Sequence, residues 1–281
     1  MRRSLLVVPA LFLLAGCGGS SSNSSFPTVP AARTYEIVDF KPTGPVTPGK
    51  PTKVSFVIRQ PNGKPLTSFK RGAGPHTGVH VIFVRRDLAS IVHVHPPTAA
   101  DGTIATTIPF TKPGPYRMVV DVYPNTTGPQ RNFQLFGSLR VAGDYRPDPL
   151  PPFKRSVVVD GYRFTLKKAP TLHAIQAGFL DFDVTDPQGK PVRFTPWFGA
   201  LAHAIFFKTG TLDYFHTHVC SPGATGCTST FAGRQVTGSS TTPGTLNVGV
   251  LVPVPGTWQL FLQSRVNGHV LTAPFTLKVR P

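Results

Sequence analysis

The run His80-Val-Ile-Phe-Val84, carried through Arg85-Arg-Asp-Leu-Ala-Ser90 into Ile91-Val-His93-Val-His95-Pro96, decides how the chain is built, because it occurs twice. The second copy is His203-Ala-Ile-Phe-Phe207, leading through Lys208-Thr-Gly-Thr-Leu-Asp213 to Tyr214-Phe-His216-Thr-His218. All three histidines shift by the same 123 residues: 80 to 203, 93 to 216 and 95 to 218. A constant offset over a spaced pattern marks a duplicated unit. The surroundings repeat as well. Lys53 to Ile58 runs into Gln60-Pro-Asn-Gly-Lys-Pro65, and Phe179 to Val184 into Asp186-Pro-Gln-Gly-Lys-Pro191. Lys112-Pro-Gly-Pro-Tyr116 precedes Arg117 to Val122, as Val254-Pro-Gly-Thr-Trp258 precedes Gln259 to Gln263. Each half closes on a final strand pattern, Gln134 to Val141 and Ala273 to Val279.

The apolar residues fall in short runs between turn formers, and the chain holds 31 Pro and 27 Gly. That is the texture of an all-β protein. About seven short alternating strands per unit predict an immunoglobulin-like β-sandwich in each half. The expected modules are residues 34–143 and 157–281. Residues 144–156, with Pro147, Pro149, Pro151 and Pro152, read as a semi-rigid linker.

Histidines two apart on a strand share a face, so His93 and His95 are neighbours, as are His216 and His218. A hairpin turning near Asp87-Leu88 places His80 opposite His95, or opposite His93 with a small register change, and the second copy places His203 in the same way. Cross-strand Cβ atoms lie about 4.5–5.5 Å apart, close enough for three imidazoles to converge on one ion. The expectation is one three-histidine site per module, His80, His93 and His95 in the first and His203, His216 and His218 in the second. Neutral imidazoles with an open fourth position suit Cu(II) or Zn(II). Met118 is the one methionine left after the first residue, too few for a thioether Cu(I) carrier, and no carboxylate accompanies the pattern, which disfavours iron and manganese. His76 is a candidate fourth ligand for the first site; His173 and His269 read as surface. The other reading of the six is structural, since their faces also carry Ile82, Val84, Ile91, Ile205, Phe207 and Tyr214 and could be core.

At the start of the chain, Arg2 and Arg3 precede the apolar run Leu5 to Leu14, which is too short to span a bilayer as a helix. It ends in Leu14-Ala-Gly-Cys17, which resembles the bacterial lipobox. The resemblance implies a signal over residues 1–16, lipidation at Cys17, and an extracytoplasmic, membrane-anchored protein. Residues 17–33, rich in Ser and Gly, read as a flexible tether. Cys220 and Cys227 are then expected to form a disulfide, as cysteine pairs do outside the cytoplasm. A His216, His218, Cys220 copper set is the weaker alternative, since it lacks an axial Met.

The net charge of +17, or +15 without Arg2 and Arg3 (17 − 2), points to contact with anionic lipid or cell-wall polymers. Lys and Arg are scattered rather than clustered, which argues against nucleic acid. The carboxylates are eleven Asp and Glu36, in no catalytic pattern, and Asp181 and Asp183 look solvent-facing. No nucleophile elbow, zinc-protease helix, phosphate loop or dinucleotide fingerprint is present, so no enzymatic activity is expected.

The hairpin His203 to His218 resembles a signature of secreted bacterial immunoglobulin-like proteins, in which a strand-opening histidine is followed by a polar turn and a closing His-x-His-Pro. The resemblance covers about 16 residues per module plus the late strand Trp258 to Val279, and it implies a metal-related role. His95-Pro96 keeps the final proline; Val219 replaces it in the second copy. The expected function is extracytoplasmic binding of copper or zinc. The alternative is a non-catalytic envelope scaffold or adhesion module whose histidines are structural; no protein partner can be read from the chain.

Overall fold

The computed structural model describes residues 34–69, 78–125, 132–224, 230–231 and 234–281. The signal, tether and Cys17 assignments lie outside these residues, as do His76 and Cys227. Residues Thr34–Pro281 form one compact unit, all-β among the described residues. It contains two tandem immunoglobulin-like sandwiches.

The first module has strands β1 (Glu36–Lys41), β2 (Pro51–Arg59), β3 (Val79–Arg85), β4 (Ile91–Val94), β5 (Thr103–Pro109), β6 (Gly114–Val122) and β7 (Phe133–Val141). They make two sheets, ordered β1-β2-β5 and β4-β3-β6-β7. Pairings between strands three steps apart in the chain, β2 with β5 and β3 with β6, are the Greek-key signature of the immunoglobulin-like sandwich. Alternation sets which side chains face inward. Val54, Phe56 and Ile58 of β2 meet Val81 and Phe83 of β3 and Met118 and Val120 of β6 in one core.

The second module has β8 (Ser156–Val159), β9 (Tyr162–Leu166), β10 (Leu172–His173), β11 (Gly178–Thr185), β12 (Phe194–Thr195), β13 (Ala202–Lys208), β14 (Tyr214–Cys220), β15 (Thr230–Phe231), β16 (Arg234–Gln235), β17 (Gly238–Ser239), β18 (Thr245–Val250), β19 (Gly256–Val266) and β20 (His269–Arg280). The order β14-β13-β19-β20 repeats the β4-β3-β6-β7 sheet, and β9-β11-β18 repeats β1-β2-β5. Here β17 pairs with both β14 and β18 and joins the two sheets into one path.

The repeated turns and corners explain the repeated motifs. Gly63 donates to Gln60 O at 2.9 Å and Gly189 to Asp186 O at 2.9 Å. Both glycines sit at φ near +80°, where a side chain is disfavoured. Tyr116 Oη donates to Lys112 O at 3.0 Å, a tyrosine corner. Trp258 Nε1 makes the same bond to Val254 O at 3.1 Å. The Pro-Gly-aromatic step therefore pins the start of β6 and of β19.

Strands β3 and β13 are apolar on both sides. In β3, Val79, Val81 and Phe83 face their own module's core. Their neighbours Ile82 and Val84 pack instead with Leu88, Val119, Ile205, Phe207, Leu212 and Phe261 in a third cluster drawn from both modules. A sheet face this apolar must be covered, and each module covers the other's. Leu88 (φ 65°) and Leu212 (φ 58°), at the tips of the two hairpins, hold left-handed backbones that leucine rarely adopts. Their burial in the shared cluster offsets that strain. The expected linker is strand-free until Ser156 and is tied at both ends. Asp148 receives Arg85 Nη2 at 2.6 Å and Lys112 Nζ at 2.9 Å, Leu150 packs on the shared cluster, and Thr276 Oγ1 donates to Pro151 O.

Phe207→Ala tests this junction, because Phe207 faces the other module rather than its own core. Urea denaturation is expected to show a loss of about 3–5 kcal/mol. A loss below about 1 kcal/mol means that the faces do not pack.

Candidate metal centre

The β3–β4 register pairs Ile82 with His93, which carries His80 opposite His95. The β13–β14 register pairs His203 with His218 and Ile205 with His216. Both hairpins thus hold the geometry expected from the sequence. On each strand the histidines share the face of the junction isoleucine, so the two hairpins bring their imidazoles together between the modules.

The result differs from the expectation of two separate sites. His80 Nδ1 lies 3.4 Å from His216 Nδ1, across the junction. His203 Nδ1 lies 3.2 Å from His216 Nε2, and His93 Nε2 lies 3.0 Å from His95 Nε2. Three groups have ligand atoms within 4.8 Å of one another: His80, His93 and His216; His93, His95 and His203; His203, His216 and His218. Only the last is a triad expected from one module alone. The first expected triad, His80, His93 and His95, is divided because His80 stacks flat on His95, with ring centres 4.0 Å apart at 17°. Ring nitrogens point within the ring plane, so stacked rings do not aim at a point between them.

All six rings are buried; His216 has its side chain 2% exposed. Phe198 stacks on His95 at 3.8 Å, and Trp197 stands edge-on to His93 at 5.5 Å. Sequence reading did not single out this aromatic wall. It comes from the segment before β13, which carries no histidine. His173, whose Nδ1 meets Pro281 O, and the exposed His269 take no part.

The hydrogen bonds fix tautomers. Trp197 O can only accept, so His203 Nε2 carries the proton and Nδ1 keeps its lone pair. Gln263 Nε2 donates to Thr272 Oγ1 at 3.1 Å, which turns its oxygen to His93 Nδ1 at 3.0 Å. His93 then donates through Nδ1 and directs the Nε2 lone pair into the cluster. A ring held by one nitrogen on an oxygen acceptor, with the other turned inward, is the arrangement of metal-ligating histidines. The nitrogen separations of 3.0 Å for His93–His95 and 3.4 Å for His80–His216 also match the edge of a tetrahedron with bonds of about 2.0–2.1 Å, roughly 3.3 Å.

A carboxylate does accompany the cluster, contrary to the sequence reading. Asp121 pairs with His80 in the β3–β6 register and is 3% exposed. Its Oδ2 lies 3.9 Å from His216 Nδ1, while Gln134 Nε2 donates to Oδ1 at 2.9 Å. In the second module the corresponding place in the register, opposite His203, belongs to Gln263. The carboxylate-free argument against iron and manganese therefore falls, although imidazole still dominates the donor set. Asp181 and Asp183 stay apart from the cluster, bonded to Asn247 and Lys167. Cys220 is buried at the end of β14.

Burial and the neighbouring imidazoles push His80 and His216 well below the ordinary histidine range. Burial pushes Asp121 up to about 6.

A family described as a domain of unknown function (DUF8832) matches residues 33–146 and 156–281. Nothing matches among curated proteins. Among solved structures, the Escherichia coli adhesin FdeC is 17% identical, with a TM-score of 0.26 over 88% of this chain and 64% of that one. Invasin, a bacterial integrin-binding protein, is 13% identical, with a TM-score of 0.25 over 88% and 38%. The fibronectin(III)-like modules of Clostridium thermocellum CbhA are 10% identical, with a TM-score of 0.22 over 87% and 93%. The chain thus spans less than two thirds of the adhesin and of invasin. At these scores the likeness says nothing about function.

The titrations set a pH dependence for the metal-free protein. His80 and His216 are held neutral when folded but accept protons at about pH 6.5 when unfolded, so stability falls as pH drops through 6.5. Asp121 works the other way. The folded state takes up its proton near pH 6 and the unfolded state only near 3.8, so protonation restores stability over that window. Asp121→Asn removes the opposing contribution. Thermal melts from pH 7.5 to 4.5 are expected to fall more steeply below pH 6 in Asp121→Asn than in wild type. Parallel curves refute the assignment.

Proposed function

The chain belongs to the DUF8832 family, carried here as two copies, and we propose that it binds copper or zinc at the junction of those copies, without catalysing a reaction. The observation that carries the reading is the cluster itself: six imidazoles, three close nitrogen pairs and oxygen acceptors that turn lone pairs inward. Burying this many polar rings in an apolar junction is costly unless they are satisfied. A divalent ion satisfies several at once and is favoured by neutral imidazole. Asp121 supplies one negative charge beside His216 to balance a cation.

A second reading is favoured by the same bonds to Trp197 and Gln263. Histidines satisfied by fixed acceptors can serve as the polar part of a scaffold core, and the doubly covered strands β3 and β13 would make a rigid tandem suited to an envelope scaffold. The two readings separate on uptake. Demetallated protein titrated with Cu(II) or Zn(II) at pH 7.5 is expected to bind with a Kd below about 10 μM, equivalent to about −7 kcal/mol. Affinity is expected to fall below about pH 6 as protons compete for the rings. No binding at that level leaves the scaffold reading.

The same proposal places the protein outside the cytoplasm, anchored by lipid on Cys17, with its basic surface against anionic lipid or cell-wall polymer. Cys220 is assigned to Cys227 in a short disulfide loop. One experiment reads both cysteine assignments: intact mass of membrane-extracted protein alkylated without reductant. The expected species begins at residue 17, carries lipid and shows no alkylated thiol. An unlipidated start removes the anchor, and two alkylated thiols remove the disulfide.

A further inference from the structure

Resting on the metal reading above, we propose that the cluster holds two ions in crossed triads, one on His93, His95 and His203 and the other on His216, His218 and His80, so that each ion is a bond between the modules.

The argument begins with the duplication. The offset of 123 residues maps His80 onto His203, His93 onto His216 and His95 onto His218. Two copies of one fold meeting through the same face form a pseudo-twofold contact, in which residue i of one copy meets residue j of the other and the reverse also holds. A pair of equivalent ion sites must then be exchanged by that operation. Two partitions of the six histidines qualify and keep each His-x-His pair together. One is each module's own triad. The other is crossed, with a His-x-His pair from one module and the strand-opening histidine of the other.

Ligand atoms lie within 4.8 Å of one another in the crossed set His93, His95 and His203 and also in the own-module set His203, His216 and His218, so the partition is decided by the ring-centre distances. In the crossed sets, His93–His95 is 4.9 Å and His216–His218 is 4.6 Å. His93–His203 is 5.0 Å and His80–His216 is 5.2 Å. His95–His203 is 5.8 Å and His80–His218 is 5.8 Å. The two triangles agree within 0.3 Å on every edge (4.9 − 4.6 being the largest difference). In the own-module sets, His80–His95 is 4.0 Å and stacked, whereas His203–His218 is 4.8 Å at 89°. The equivalent edges there differ by 0.8 Å (4.8 − 4.0) and in orientation, which is not what a repeated ligand set looks like.

The surrounding acceptors obey the crossed symmetry too. His93 is held by Gln263, the neighbour of His203 on β13; His216 faces Asp121, the neighbour of His80 on β3. Each crossed triad therefore carries its own supporting side chain from the module that supplies its single histidine. The 3.2 Å contact between His203 and His216 marks where the two sets abut.

Pairwise replacement tests the partition in the full-length protein, with Zn(II) and Cu(II) as probes and bound metal counted after equilibrium dialysis. Wild type is expected to hold two ions per chain. His95→Ala/His203→Ala removes two ligands of one crossed site, so one ion should remain. His80→Ala/His95→Ala strikes both crossed sites, so neither should remain. Own-module triads give the reverse, one ion left by His80→Ala/His95→Ala and none by His95→Ala/His203→Ala, and that result overturns the proposal. One ion in wild type also overturns it. No ion in wild type instead removes the metal reading on which it rests. If an alanine pair fails to fold, the matching His→Gln pair keeps side-chain volume and hydrogen bonding and decides the same count.

Discussion

Strands β3 and β13 are each apolar on two faces, and a β-strand can give only one face to its own sandwich core. The second face has to be covered by something else, and in this chain the same face of the other copy does so. Ile82, Val84, Ile205 and Phe207 supply that contact, with Leu88 and Leu212 closing it at the hairpin tips. Everything distinctive about the centre follows. The imidazoles lie on the junction face because they alternate with the residues inside the module cores. They are buried because the isoleucines and phenylalanines beside them are packed. They meet rings from the other copy because a self-complementary face brings like to like.

Duplication followed by divergence shows within the centre. The corner at the start of the late strand keeps its hydrogen bond while Tyr116 becomes Trp258. Opposite the strand-opening histidine, Asp121 in one copy becomes Gln263 in the other. The first change is neutral to architecture, since both rings donate to a carbonyl four residues back. The second is chemical. One half of the centre carries an ionisable oxygen and the other a neutral amide, so the two halves share a shape without sharing an electrostatic environment.

Coverage of the junction also explains the linker. Residues between Val141 and Ser156 are rich in proline and form no strand, yet Asp148 gathers Arg85 and Lys112 while Leu150 enters the shared cluster. A tether closing a face-to-face contact gains from being short and stiff, since less chain entropy is lost on docking.

Much of this was legible in the chain. Period-2 alternation and the constant 123-residue offset determined the all-β tandem and the two hairpins, because each depends on residues close in sequence, and they left His80 opposite either His95 or His93. The six histidines were legible as candidates for the same reason. What only the tertiary structure decided was which imidazoles meet. The triads looked confined to one module because local pairing says nothing about what covers the outer face of a sheet. Asp121 stayed hidden although it lies directly beside His80, since 41 residues separate them (121 − 80) and the pairing of β3 with β6 is a Greek-key contact that no local pattern encodes. Side-chain direction is a local property of a strand, and the partner across a covered face is a global one.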